Sequence, residues 1–313
     1  MHALSTFQAA LDAAGISFIE RGWLSANNTL ILGDGPSALV DSGYCIHAQQ
    51  TVALVRQALG GRTLDLLLNT HLHSDHCGGN AALQAEHPDL QVFIPPGHAQ
   101  AVEDWDPVEL TFEPTGQACP RFTHQAVLRP GSDIQLGTQR WEIHAAKGHD
   151  PHSIVLFQPD QRILISADAL WENGFGVVFP ELEGVSAFDE VGATLDAIEA
   201  LNPLVVLPGH GSIFTDVTAA LGKARSRLEQ FVKHPEKHQR HAVKVLLKYK
   251  LLEWQKVSKE VLLQWTRNTA YIRRFIPEQG NELHQARLWL DELLVELERS
   301  GALRMENEQV LNS

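Results

Sequence analysis

At 313 residues, with 44% apolar and 20% charged residues, the chain is long enough to bury one large core or two smaller ones. No stretch approaches the roughly 20 apolar residues of a membrane span, and the first residues lack a basic start followed by an apolar run, so neither a membrane anchor nor a secretory signal is expected. The net charge of −13 is unevenly spread: residues 223–274 carry 14 Lys and Arg against 4 Glu, which makes that window +10 and the remainder −23. An acidic body joined to a basic segment suggests two domains with different partners. Cys45, Cys77 and Cys119 form an odd, scattered set, which suits a reducing cytoplasm better than a disulfide framework.

In chain order, residues 4–14 read as a short amphipathic helix or an irregular arm. Residues 16–20, 29–32 and 38–40 read as strands, with Gly33-Asp34-Gly35-Pro36 as the turn between the last two. The third strand runs into Asp41-Ser42-Gly43, a turn-forming aspartate before glycine. Residues 51–59 form an amphipathic helix stopped by Gly60-Gly61. Residues 64–69 are an apolar run of the kind buried on both faces of a sheet. It ends in Thr70-His71-Leu72-His73-Ser74-Asp75-His76, where three histidines and an aspartate fall within six residues. If the chain is still extended there, period two sends His71 and His73 to one side, while Asp75 and His76 on the next turn face a second point. Imidazole with carboxylate suits zinc or a similar borderline metal. Cys77, the next residue, reads as a small buried apolar side chain rather than a ligand. The small, alanine-rich stretch from Gly78 and Gly79 to residue 86 reads as a helix that begins close to a neighbouring backbone.

Residues 92–94 read as a strand, 95–105 as a helix and the proline-bearing stretch 106–127 as an excursion loop. Strands at 134–136 and 140–145 lead to His149 and, shortly after, His152, a candidate substrate contact or proton relay. Strands at 153–157 and 162–166 pair across a short turn, and the second ends at Asp168. Residues 171–179 follow directly, with Gly174 and Gly176 among aromatics; Trp171, Phe175 and Phe179 read as a pliable apolar lip for an acyl or aromatic group. A further buried strand, 204–207, ends at His210. Four apolar runs thus end in His71/His73/Asp75/His76, His149, Asp168 and His210, and the five histidines and two aspartates are the number two neighbouring metals need.

The run His71-x-His73-x-Asp75-His76 resembles the metal-binding signature of the metallo-β-lactamase superfamily, and Leu39-Val40-Asp41-Ser42-Gly43 resembles its first motif. The resemblance covers roughly residues 16–215. It implies an α/β fold, an αββα sandwich, with two divalent ions at the sheet edges: zinc first, Mn2+ or Fe2+ as alternatives. It places His71, His73 and His149 on one ion and Asp75, His76 and His210 on the other, with Asp168 bridging and Asp41 supporting the ligands from outside. A hydroxide between the ions would be the nucleophile, with Asp75 orienting it and taking up its proton.

From residue 216 onward the chain turns helical. Residues 219–232 and 239–252 read as helices, Ser258 caps another to residue 265, and 281–299 carries Leu283, Ala286, Leu290, Leu293, Leu294 and Leu297 on one face. Residues 300–310 read as a small hairpin. Helices followed by a hairpin resemble the winged-helix tail of the β-lactamase-like-2 branch of the superfamily. The division expected is therefore 1–217, catalytic, and 218–313, mainly helical and winged-helix-like. The expected function is hydrolysis of a small-molecule ester, thioester or lactone in the cytoplasm, with the tail covering the pocket or joining two copies into a homodimer. The alternative is a metal-dependent endoribonuclease holding RNA on residues 223–274, disfavoured because a body of −23 repels a nucleic acid strand.

Overall fold

The computed structural model describes residues 8–9, 11–277 and 282–313. Residues 4–7 and 10 of the segment expected at 4–14, and Asn281 at the head of the last helix, lie outside them. The first sheet holds β1 (Ile16–Ile19), β2 (Asn28–Ile31), β3 (Ala38–Val40), β4 (Leu66–Leu68), β5 (Gln91–Ile94) and β6 (Ala126–Val127), in that spatial order. It is antiparallel from β1 to β3 and parallel from β3 to β6. Helix α1 (Ala48–Leu59) makes the crossover from β3 to β4 and stops at Gly60, which takes the left-handed conformation that glycine adopts without penalty. One helical turn, α2 (Ser74–Cys77), follows β4, so Asp75 and His76 stand on a helix and not on an open turn. The glycines behind it serve close approach: a Cβ at Gly79 would lie 2.4 Å from the Ser42 carbonyl oxygen.

The second sheet has the order β11-β10-β9-β8-β7, with β7 (Asp133–Leu136), β8 (Gln139–Ala145), β9 (Ile154–Gln158), β10 (Ile163–Ala167) and β11 (Val205–Pro208). Helix α3 (Phe188–Leu201) links the parallel pair β10 and β11. Because β8 and β10 both run antiparallel to β9, the carboxyl ends of β8, β10 and β11 meet at one edge.

Period two explains the layering. Ile163 and Ile165 of β10 point inward and share a core with Leu68, Val40 and Trp141, whereas Leu164 points outward to Val191 and Leu195 of α3. On the first sheet Leu67 and Leu39 face outward to Val52, Val55 and Leu83. Three consecutive leucines in β4 are therefore all used: Leu67 and Leu68 are fully buried, each stabilising by about 1.5–3 kcal/mol, and Leu66 is partly buried against the inner core. The result is helix, sheet, sheet, helix. The stretch 106–127 is more ordered than a loop: it contains a helical turn (Phe112–Thr115), ends in β6, and buries Leu110, Phe112 and Phe122 against the first sheet's outer face. Its anchors come singly, so no periodicity announced them.

Beyond β11, helix α4 (Val217–Lys233) places Ala220, Leu221 and Ala224 in the same core as α3. Then come α5 (Pro235–Trp254), β12 (Lys256–Ser258), α6 (Lys259–Asn268), α7 (Glu282–Arg299), β13 (Leu303–Glu306) and β14 (Gln309–Asn312). Ser258 Oγ accepts from the Val261 N–H, the cap expected for α6. The hairpin forms, and β12 adds a third strand in the order β12-β14-β13. In α7 the apolar stripe from Ala286 to Leu297 is buried against Leu246, Leu247 and Leu251. Leu283 departs from the expectation: it is 43% exposed, because the cover over the stripe begins only at Ala286. Val177 and Leu182, which follow β10, belong to this C-terminal core, and Tyr249 of α5 donates to the Leu24 carbonyl at 3.0 Å. The tail thus sits over the edge where the strands end.

Candidate metal centre and its cleft

Asp41 closes β3 and organises the floor of the site. Its φ of +58° is uncommon outside glycine but tolerated by aspartate, and its buried carboxylate accepts three hydrogen bonds. The Thr70 N–H donates to Oδ1 at 2.9 Å, the Thr70 hydroxyl to Oδ2 at 2.8 Å and His76 Nδ1 to Oδ2 at 2.8 Å. With its own proton on Asp41, Thr70 Oγ1 is left to accept from His71 Nδ1 at 3.1 Å. One carboxylate therefore turns Nε2 of both His71 and His76 inward as lone pairs, which is how outer partners orient metal ligands.

Two sets of ligand atoms result, one of His71, His73 and His149 and one of Asp75, His76, Asp168 and His210. His149 Nδ1 donates to the Val177 carbonyl at 2.6 Å, so its Nε2 carries a lone pair 3.1 Å from His71 Nε2 and 2.8 Å from His73 Nδ1. Asp168 faces both sets, with Oδ2 3.4 Å from His149 Nε2 and Oδ1 3.5 Å from His76 Nε2. Asp75 Oδ2 lies 3.0 Å from His210 Nε2. The fit to a cation is tested by His76 Nε2, which is buried with no hydrogen-bond partner and points at two carboxylates. Converging lone pairs and an orphaned inward nitrogen suit divalent ions.

The charge states agree at the three-histidine set, while at His76 the facing carboxylates favour a positive charge at the place a cation would take. Burial first, and then the surrounding imidazoles, hold His71 well below its ordinary pKa and His73 down to about 3, so both present neutral nitrogen. Burial opposes the charged form of His76, yet Asp41, Asp168 and Asp75 hold it well above its ordinary value. For Asp75 and Asp168 burial pushes upward, and His76 and His210 outweigh it, keeping both below the usual carboxylate range. Backbone approach is tight here: a Cβ at Gly209, beside His210, would lie 2.3 Å from Asp168 Oδ1.

Above this floor opens a cleft of about 610 Å³, lined by His73, His149, Asp168, Trp171 and Phe179 together with α5. Trp171 Nε1 donates to Asp168 Oδ1 at 3.2 Å, and the Phe179 ring lies 4.6 Å from that of His73. Two expected contacts fall elsewhere. Phe175 is 2% exposed and packs towards Phe231, because the Gly176 N–H is tied to the Asp168 carbonyl and the intervening residue turns into the core. His152 stands edge-on to His98 at 4.5 Å, its backbone N–H bonded to Asp150 Oδ1, outside the cleft. Cys77 is buried, its Sγ 3.8 Å from that of Cys119, and belongs to neither ligand set.

Sequence reasoning missed Trp23, whose ring stacks on His210 at 5.2 Å while 58% exposed, and the hydroxyl of Thr70. The tail was expected over the pocket, but not which residues of it: α5 lends Tyr249 and Leu252 to the wall. Thr70 heads the ligand run, but its role, like the places of Trp23, Tyr249 and Leu252, is set by the fold.

Paired sheets bearing a His/Asp metal cluster at their edge, under an open cleft, define the class: an αββα metalloprotein with a ligand-accessible centre. Residues 21–210 match the Metallo-beta-lactamase superfamily, and the chain belongs to that superfamily. It is 26% identical over 190 residues to a hydroxyacylglutathione hydrolase of Brucella anthropi, matching 61% of this chain and 60% of that relative's length. It is 22% identical over 241 residues to a beta-lactamase-like protein 2 homolog of Caenorhabditis elegans, covering 76% of this chain and 71% of that one. In fold it is similar to a metallo-beta-lactamase family protein from Thermus thermophilus, with a TM-score of 0.54, 19% identity and coverage of 96% and 99%.

Proposed function

We propose that the chain is a metal-dependent hydrolase of a small-molecule thioester, ester or lactone. The carrying observation is Asp168, one carboxylate turned to both ligand sets at the bottom of an aromatic-walled cleft. Two divalent ions held there, zinc first and Mn2+ or Fe2+ as alternatives for this thiol-free set, would polarise a carbonyl and lower the pKa of water to about 7. The chain's own residues do the rest. Asp75 orients the attacking water and takes up its proton on the carboxylate, while His210 fixes Oδ2. Trp171 steadies Asp168, and Trp171 and Phe179 keep bulk water from the acyl group. Relatives named for hydroxyacylglutathione, a thioester, support this substrate class.

The three-stranded sheet with α5, α6 and α7 supports reading 218–313 as a winged-helix-like domain, although α4 shares its core with α3. The cytoplasm remains our proposed location. No described helix is long and apolar enough to cross a membrane. A homodimer through the C-terminal helices is supported by exposed Leu283 and Leu288 on α7. Against the endoribonuclease alternative, Lys244 and Arg240 are ion-paired to Glu296 and Lys248 is bonded to Ala302 and Asn312. The test is metal-replete protein assayed on esters, thioesters, lactones and single-stranded RNA, with elemental analysis alongside. We expect two metals per chain and small-thioester cleavage that stops with a chelator. RNA cleavage without small-ester turnover would overturn the reading.

A further inference from the structure

A second, shallower cavity of about 670 Å³ adjoins the metal cleft, and the two share Asn173, Arg227 and His241 in their walls. It is lined by Lys223, Arg227, His241, Ser226, Gln230 and Asn173, with no carboxylate among its described lining. Several neighbouring cations on α4 and α5 are answered by carboxylates: Arg225 by Asp196 and Glu199, Arg240 and Lys244 by Glu296, Lys250 by Glu253. Lys223 bonds only neutral acceptors, the Glu172 carbonyl and Asn173 Oδ1, so its charge is not neutralised.

Arg227 has no hydrogen bond or ion pair to any described residue, although it is half-buried. A guanidinium carries five donors and is costly to desolvate without acceptors. Gly174 packs against it: a Cβ there would lie 2.6 Å from Nη1. Gly174 closes the turn from Trp171, whose indole touches Asp168. The unpaired cation is therefore built onto the same turn that walls the metal cleft. Glu172, exposed on that turn, is the nearby carboxylate, and it lines the metal cleft and not this cavity.

We propose that Arg227, with Lys223 and His241, is an anion subsite for the leaving-group arm of the substrate, and that the arm ends in a phosphate. The inference rests on the hydrolase reading above and names its substrate class: an acyl thioester of a phosphorylated thiol. Two cations without a counter-charge match a dianion better than a carboxylate. A phosphate also offers oxygens in three directions to the guanidinium, the ammonium and the Ser226 hydroxyl. The aromatic walls over the metal ligands receive the acyl group, and the thiol arm extends past α5 to Arg227.

The test compares thioesters of one acyl group on N-acetylcysteamine, glutathione and 4′-phosphopantetheine. We expect the phosphopantetheine thioester to show the lowest KM, and Arg227→Gln to reduce its kcat/KM advantage over the neutral thioester about tenfold, as loss of a charge-assisted contact does. The loss should fall on KM, with Arg227→Lys restoring part of it. Binding of a non-hydrolysable S-alkyl phosphopantetheine, followed by tryptophan fluorescence, is measured separately. It reports on the subsite even if no thioester is cleaved, so failure of the subsite and failure of the hydrolase reading are told apart. The proposal is overturned if that thioether binds no better than its N-acetylcysteamine counterpart, or if Arg227→Gln leaves its binding unchanged. It is also overturned if the glutathione thioester is preferred, or if inorganic phosphate alone competes as strongly as the thioether.

Discussion

In the cleft floor five histidines and two aspartates lie in two touching sets, none more than 9% exposed; in the tail, Lys244 meets Glu296 with 31% and 37% of their side chains exposed. Both regions are dense in charge, yet the physics differs. In the floor, burial lowers His71 and His73 while close charges override it at His76, Asp75 and Asp168, and a missing partner leaves a desolvated charge. In the tail, water screens each pair, and attraction is nearly balanced by lost side-chain freedom. Charge density alone says little about function; what distinguishes the floor is that its buried groups converge with too few protein partners, and what distinguishes the tail is that its ion pairs stand in water.

Substitutions sharpen that contrast. The largest effect is expected for Asp75→Asn, which keeps shape and removes charge: turnover should fall by about 10²–10⁴-fold, as for loss of a general base, and elemental analysis should show less metal. Near-normal rates would place the chemistry elsewhere. Asp41→Asn touches no substrate but loosens His76 and Thr70 together, so metal affinity measured by chelator competition should drop about 10–100-fold.

A third change tests burial of a titratable group in the tail. His238 is buried, its pKa pushed down to about 4 by burial and then by His241, and its Nε2 accepts from the Val178 N–H. Neutral His238 favours the native state above the unfolded pKa of about 6.5, and that contribution is lost as pH falls towards 4, at up to about 1.4 kcal/mol per pH unit. His238→Gln keeps an acceptor for Val178 and cannot titrate, so denaturant midpoints should fall less steeply between pH 6.5 and 4 than in the wild type. Equal slopes would show that His238 contributes nothing. The smallest effect is expected for Lys244→Gln, which should change stability by less than about 1 kcal/mol. A loss as large as that of a core residue would mean the tail's pairs are not screened surface pairs.

Local chemistry made much of the catalytic half legible. The run His71 to His76 is dense in ligands, stands at the end of a three-leucine strand, and is echoed at the ends of β8, β10 and β11; strands of one direction bring such ends to one edge, so the pooled ligands follow from the pattern, while their division into two sets came from the family resemblance. Asp41 was legible through the motif it sits in. Tertiary structure decided what no short window contains. The +10 of residues 223–274 omitted Glu296 and Asp291, which return on α7 to answer Arg240, Lys244 and Lys259. Phe175 turned into the core beside Phe231 and not onto the lip. Trp23 came to rest on His210 from a distant part of the chain, and Arg227 was left without a counter-ion beside the cleft. Ligand type and strand periodicity are properties of neighbours in sequence, whereas charge pairing and the facing of one side chain depend on which distant segments burial brings together.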